Sequence, residues 1–170
     1  MFVLGVDPGL SRCGYAVVEP GRHHRAIPIA LGVIRTAPSD PIPERLAELQ
    51  YELGSLLDEY RPSVVAVERI FFQNNVRTAV SVAQASGLVL AGAAARKIAV
   101  VEYSPSAVKS VVAGDGRADK AQVQAMVQLL LSLPSPPKPA DAADAAALAL
   151  CHLAHDPSLQ GSMAMRTVRS

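Results

Sequence analysis

The spacing of hydrophobic residues divides the chain into two regimes. Up to about residue 35 the apolar positions carry the short period of strands, and from about residue 43 several segments recur at three and four, the period of helices. Residues 2–7 predict a first strand. Asp7-Pro8-Gly9-Leu10-Ser11 predicts a turn, because proline presets one dihedral and glycine admits a positive one. Residues 13–19 predict a second strand in a hairpin with the first, and a third covers about 28–35, after the polar stretch Pro20-Gly21-Arg22-His23-His24. Across 43–60, Leu46, Leu49, Leu53, Leu56 and Leu57 mark an amphipathic helix that Pro62 stops. Ser63-Val64-Val65-Ala66-Val67 is a short buried strand that delivers Glu68 at its end. The loop 69–74 leads into a long helix over 75–97, rich in Ala, Ser and Gly, and 98–102 is a fifth strand. A short helix near 105–112, a glycine loop at 114–116 and a helix near 119–132 follow. Pro134-Ser135-Pro136-Pro137-Lys138-Pro139 is a stiff linker into a final helix, about 141–154. Three leading antiparallel strands followed by alternating helices and strands predict an α/β fold, a mixed five-stranded sheet flanked by helices. Residues 1–156 are expected to form one domain and 157–170 a flexible tail.

Composition narrows the class of protein. With 170 residues, 50% hydrophobic and 18% charged, the chain can bury a core and is not of a disordered type. No uninterrupted apolar run of about 18 residues is present, so no membrane span is expected. Asp7 arrives too early for a signal peptide, and Cys13 and Cys151 are two widely spaced thiols without metal-type spacing, as expected of a reduced cytoplasmic protein. The net charge of +1 gives no support for nucleic-acid binding, which has to come from where the basic residues sit.

The acids carry the candidate chemistry. Asp7 ends an apolar strand, where burying a carboxylate is costly unless it is paired or meets a cation; the alternative is a turn-capping Asp. Glu68 follows four apolar residues of a strand expected to be central, and Glu is disfavoured in strands and rarely buried alone; the alternative is an ion pair with Arg69 or another neighbour. Asp141 and Asp144, three apart at a helix start, share one face. Acids are favoured at helix N-termini in any case, and Asp141 has the position of an N-cap; yet the rest of that helix is Ala and Leu, suited to close packing on a sheet. Four carboxylates from two strand ends and one helix suit a hard cation such as Mg2+, with Mn2+ as a substitute. Two such ions, about 3.5–4 Å apart, could activate a water and stabilise the leaving oxygen of a phosphodiester. His152 and His155, at the far end of the last helix, read as surface or capping residues and not as ligands.

These residues also form a recognisable pattern. Gly5-Val6-Asp7-Pro8-Gly9 with Gly14-Tyr15-Ala16-Val17-Val18, then Glu68-Arg69-Ile70-Phe71, and Asp141-Ala142-Ala143-Asp144-Ala145 closely resemble RuvC-type Holliday-junction resolvases. Ser104-Pro105, Val108-Lys109 and Gly114-Asp115-Gly116-Arg117-Ala118-Asp119-Lys120 are similar too, and the motifs run in order over roughly residues 3 to 155. The resemblance implies an RNase H-like fold, a homodimer, paired symmetric cleavage of four-way DNA junctions in recombination and repair, and work beside the RuvA–RuvB branch-migration complex. It places the metal-binding acids on Asp7, Glu68, Asp141 and Asp144, and phosphate contacts on Lys109 and Lys120. Some relatives carry His where this chain has Asp141.

With that fold in view, Arg69, Arg77 and Arg117 are candidate phosphate contacts whose alternative is a solvated surface. Phe71 matches an aromatic that stacks on an unpaired base in the family, while one of Phe71 and Phe72 is expected in the core. Gln73, Asn74 and Asn75 have amide edges able to read bases. Ala79, Ala83, Ala85, Gly87, Ala91 and Ala95, with Val80 and Leu88, make the helix 75–97 a candidate dimer face, or else an intramolecular packing face. Three rivals remain: another RNase H-like nuclease of the kind that processes ribosomal RNA, an actin-like or sugar-kinase-like ATPase, and a non-catalytic junction-binding protein. The ATPase needs two lobes, which 170 residues do not supply.

Overall fold

The computed structural model describes residues 1–21, 26–70 and 76–156, the side chains of 76–78 excepted. Its elements are β1 (Val3–Asp7), β2 (Arg12–Pro20), β3 (Ala26–Arg35), α1 (Ile42–Tyr60), β4 (Val64–Glu68), α2 (Val76–Ala95), β5 (Ala99–Tyr103), α3 (Pro105–Ala113), α4 (Lys120–Leu130) and α5 (Ala140–His155). They form one five-stranded sheet in the order β3-β2-β1-β4-β5. The β1–β2 and β2–β3 pairs are antiparallel, whereas β1–β4 and β4–β5 are parallel. The mixed α/β sheet with three leading antiparallel strands is as the hydrophobic pattern predicts. The third strand begins at Ala26, two residues earlier than expected, because a bulge opposite Val17 and Val18 keeps the ladder running past Pro28.

Strand alternation sorts the core into two layers. Leu4, Val6, Cys13, Val17, Val65 and Val67 point to the side covered by α1 and α2, where Leu49, Leu53, Leu57, Ala85, Val89 and Ala93 meet them. Val3, Ala16, Val18, Val64 and Ala66 point to the other side, onto α3, α4 and α5. The α1 helix ends where expected: Arg61 takes a left-handed conformation, its N–H bonds the Leu57 carbonyl, and Pro62 follows. The bidentate pair of Arg96 with Asp58, 2.7 Å on each side, ties α2 to α1. Among the described residues no helix is long and apolar enough to cross a membrane. The tail from Pro157 on, together with Phe71, Phe72, Gln73, Asn74 and Asn75, lies outside the described residues, as does the side chain of Arg77.

Candidate active site

The two strand-end acids meet because their strands are parallel neighbours. Val6 pairs with Val67, so Asp7 and Glu68 emerge side by side at the carboxyl ends of β1 and β4. The chain leaves β1 toward β2 on one side and has β4 on the other, and a crevice at such a strand-order reversal is where open sheets bind ligands. By alternation Asp7 shares the face of Val3 and Gly5, the face that α5 covers.

Glycines bring α5 down onto that face. A Cβ on Gly14, the ladder partner of Asp7, would lie 2.0 Å from the Asp141 carbonyl oxygen, and one on Gly5 would lie 2.0 Å from the Ala145 carbonyl oxygen. Backbone thus packs on backbone, and the first turn of α5 sits over the end of β1. Asp141 and Asp144 face the site half-buried, while Ala142, Ala143, Ala145 and Ala146 are buried. The N-cap is Pro139, and no side chain caps the helix. The N-cap alternative for Asp141 is therefore corrected: the residue is the second of the helix, in its first turn, and its carboxylate is not used as a cap.

Each helix acid has a cation. Arg12 Nη2 donates to Asp141 Oδ2 at 2.5 Å, and Lys120 Nζ donates to Asp144 Oδ2 at 3.1 Å. Asp7 and Glu68 have no such partner among the described residues, and no ion pair joins Glu68 to Arg69, whose side chain is exposed and whose N–H bonds the Tyr103 carbonyl at 2.8 Å. Burial first, and then Asp144, Glu68 and Asp141, push the Asp7 carboxyl from 3.8 up to about 7, against a lesser pull from Lys120. Glu68 is also raised, by burial first and by Asp144 next, with Lys120 and Lys109 pulling it back.

Among the described residues no three His, Cys, Asp or Glu side chains stand as a closed metal cage. The donor set nonetheless fits a hard divalent cation. The other three acids are all close enough to act on Asp7, and the four together outnumber the two cations paired with them.

The structure separates the other expected residues. Lys120 stands in the site, and Lys109 is near enough to act on Glu68. Arg117 is exposed in the turn before α4, where its N–H bonds the Asp115 carboxylate. His152 and His155 are remote: His152 Nδ1 lies 2.8 Å from the Tyr103 hydroxyl, and His155 Nδ1 lies 2.8 Å from the Cys151 carbonyl. Sequence reading missed Arg12. Its one signal was its place just past the turn that follows Asp7.

Fold and site together define an RNase H-like, metal-dependent nuclease. The profile of the crossover junction endodeoxyribonuclease RuvC family matches residues 3–152, and the chain belongs to that family. It is 51% identical to the crossover junction endodeoxyribonuclease RuvC of Parafrankia sp. (strain EAN1pec), over all of this chain and 96% of the relative. The namesake from Salinispora arenicola (strain CNS-205) is 55% identical over 90% of this chain and 87% of its own. Thermus thermophilus RuvC, solved in complex with a Holliday junction substrate, superposes with a TM-score of 0.87 at 35% identity, covering 95% of this chain and 97% of that one. The yeast mitochondrial Holliday junction resolvase shares the fold, with a TM-score of 0.67 at 18% identity over 97% of this chain and 84% of that one.

Proposed function

We propose that this chain resolves four-way DNA junctions by paired symmetric nicks, with Asp7, Glu68, Asp141 and Asp144 holding the Mg2+ ions that cleavage needs. The observation that carries this reading is the crowding of four carboxylates at one sheet end, with Asp7 raised to about 7, in a chain that matches the resolvase family over residues 3–152. An all-carboxylate donor set favours Mg2+, with Mn2+ as a substitute, and two ions would account for four acids. Bound there, the ions supply Lewis acidity to the phosphodiester and lower the pKa of an attacking water.

The chain's own groups set the stage for that chemistry. Asp7 and Glu68, fixed on strands, give the site a rigid floor, and α5 brings Asp141 and Asp144 from above. Lys120 and Lys109 put positive charge at the rim, where a backbone phosphate would lie. Arg69 and Arg117 add to that rim, and by the family resemblance Arg77 contacts phosphate, Phe71 stacks on an unpaired base, and Gln73, Asn74 and Asn75 read bases. Two copies joined through the helix 75–97 would present two sites to the two strands that need symmetric cuts. Ala85, Val89 and Ala93 of α2 are spent on the core, which leaves Val80, Gly87 and Ala91 on the outer side for that contact. The reading also places the chain in the cytoplasm, beside RuvA–RuvB.

The test offers a synthetic four-way junction, a plain duplex and a structured RNA, each with magnesium or with EDTA. Paired nicks in the junction alone, and only with magnesium, are the expected result. Cleavage of the RNA in preference to the junction would overturn it.

A further inference from the structure

The ends of β2 and β3 hold an arrangement that the acid site does not account for. Arg12 and Arg35 are direct ladder partners, the outermost pair of these strands at the end where the acids lie. Directly opposite residues point to the same face, here the face of α5, since Arg12 reaches Asp141. Like charges in such a pair repel unless an anion lies between them. Both residues are exposed, and among the described residues no carboxylate lies within ion-pair distance of Arg35.

The backbone beneath them is locked by a third arginine. Arg45, on α1, is only 9% exposed. Its Nε donates to Thr36 Oγ1 at 3.0 Å and its Nη2 to Ser11 Oγ at 2.5 Å. The Thr36 hydroxyl donates in turn to the Leu10 carbonyl at 2.5 Å, and the Thr36 N–H to the Ser11 carbonyl at 3.3 Å. Ser11 adjoins Arg12 and Thr36 adjoins Arg35. A buried arginine with neutral partners is a costly way to fix two strand ends, and it adds a third positive charge below them. The product is a rigid base carrying two long cations, one paired with Asp141 and one, Arg35, in no ion pair among the described residues, although Glu48 and Glu52 of α1 line the same pocket.

We propose that Arg12 and Arg35 form a phosphate clamp for the DNA backbone on the flank of the acid site opposite Lys120, and that Arg12 joins it when a divalent cation takes Asp141. Without that cation Arg12 neutralises Asp141, which it touches. Once the carboxylate is claimed, the guanidinium swings toward Arg35, and a phosphate between them relieves the repulsion. Metal loading and backbone grip are then coupled through one side chain. This inference rests on the resolvase reading.

The test measures binding of a four-way junction and of a plain duplex across a salt series, in EDTA and in calcium, which shares the oxygen preference of magnesium. In calcium, Arg12→Gln and Arg35→Gln should each make the logarithmic salt slope shallower by about 0.9, the loss of one phosphate contact. In EDTA only Arg35→Gln should do so, because Arg12 is then held by Asp141. Calorimetric titration with magnesium alone, without DNA, should show Arg12→Gln binding the metal about twofold to fivefold more tightly, the worth of an exposed ion pair. Arg35→Gln should titrate like wild type. Wild-type slopes for both variants in calcium would overturn the clamp, and an equal effect of Arg12→Gln in both conditions would overturn the exchange. A wild-type chain that binds neither DNA would sink the resolvase reading and this proposal with it, whereas intact binding with unaltered slopes sinks this proposal alone.

Discussion

At the scale of single residues, Asp7 is the most informative group. Its carboxyl rises from 3.8 to about 7 because burial and three neighbouring acids oppose ionisation. In the folded, metal-free chain it therefore holds a proton that the unfolded chain has already released. Stability from this group is fully present below the unfolded value of 3.8 and is lost as pH rises to about 7, with about 1.4 kcal/mol at stake per pH step, or about 4 kcal/mol across the window. The metal-free protein should unfold at lower denaturant in pH 8 buffer than at pH 5, and a flat profile would remove the acid crowding from the explanation. Asp7→Asn removes the ionisation cost, so it should flatten that profile, retain junction binding and lose cleavage; wild-type nicking in magnesium would refute the metal role. Asp7 and Glu68 were legible in sequence because each is a carboxylate ending an apolar strand. Arg12 was not, since its partner Asp141 lies 129 residues away and only the folded sheet joins them.

At the scale of elements, the decisive contact is α5 on the hairpin β1–β2. The helix and both strands were legible from their periods, and so was the pairing of Asp141 with Asp144 on one face. The depth at which α5 sits was not, because it depends on Gly5 and Gly14 lying under particular carbonyls of a helix that begins more than 120 positions later in sequence. A methyl at position 14 would lie 2.0 Å from the Asp141 carbonyl oxygen, and backbone on a packed helix has nowhere to yield cheaply. Gly14→Ala should cost about 1–3 kcal/mol by overpacking. It should also reduce cleavage at temperatures where the variant stays folded, because it lifts Asp141 away from Asp7 and Glu68. Thermal melts paired with single-turnover nicking separate the two effects. A variant that is destabilised yet cleaves at the wild-type rate would show that the glycine serves packing alone.

At the scale of the molecule, charge is arranged by place and not by amount. The chain carries 16 Lys and Arg against 15 Asp and Glu, yet one end of the sheet gathers four acids with Lys120, Lys109, Arg12 and Arg35 around them. Such a surface should attract divalent cations strongly when the acids are ionised and weakly when Asp7 keeps its proton. Magnesium should therefore raise the melting temperature. At a hundred times its dissociation constant a ligand contributes about 2.7 kcal/mol, and each kcal/mol moves a domain of this size by about 2–4 °C. The expected rise at pH 8 is thus about 5–11 °C, shrinking toward pH 5.5 as protons compete for Asp7. Lys120→Ala tests the same layout from the other side. It frees Asp144 from its 3.1 Å ion pair and takes one cation from the rim. It should keep or enlarge the magnesium-dependent rise, while junction binding weakens with a salt slope shallower by about 0.9. If the variant instead lost the thermal response to magnesium, Lys120 would be shaping the carboxylate geometry and not guarding a phosphate, and the division of labour between acids and rim cations would have to be redrawn.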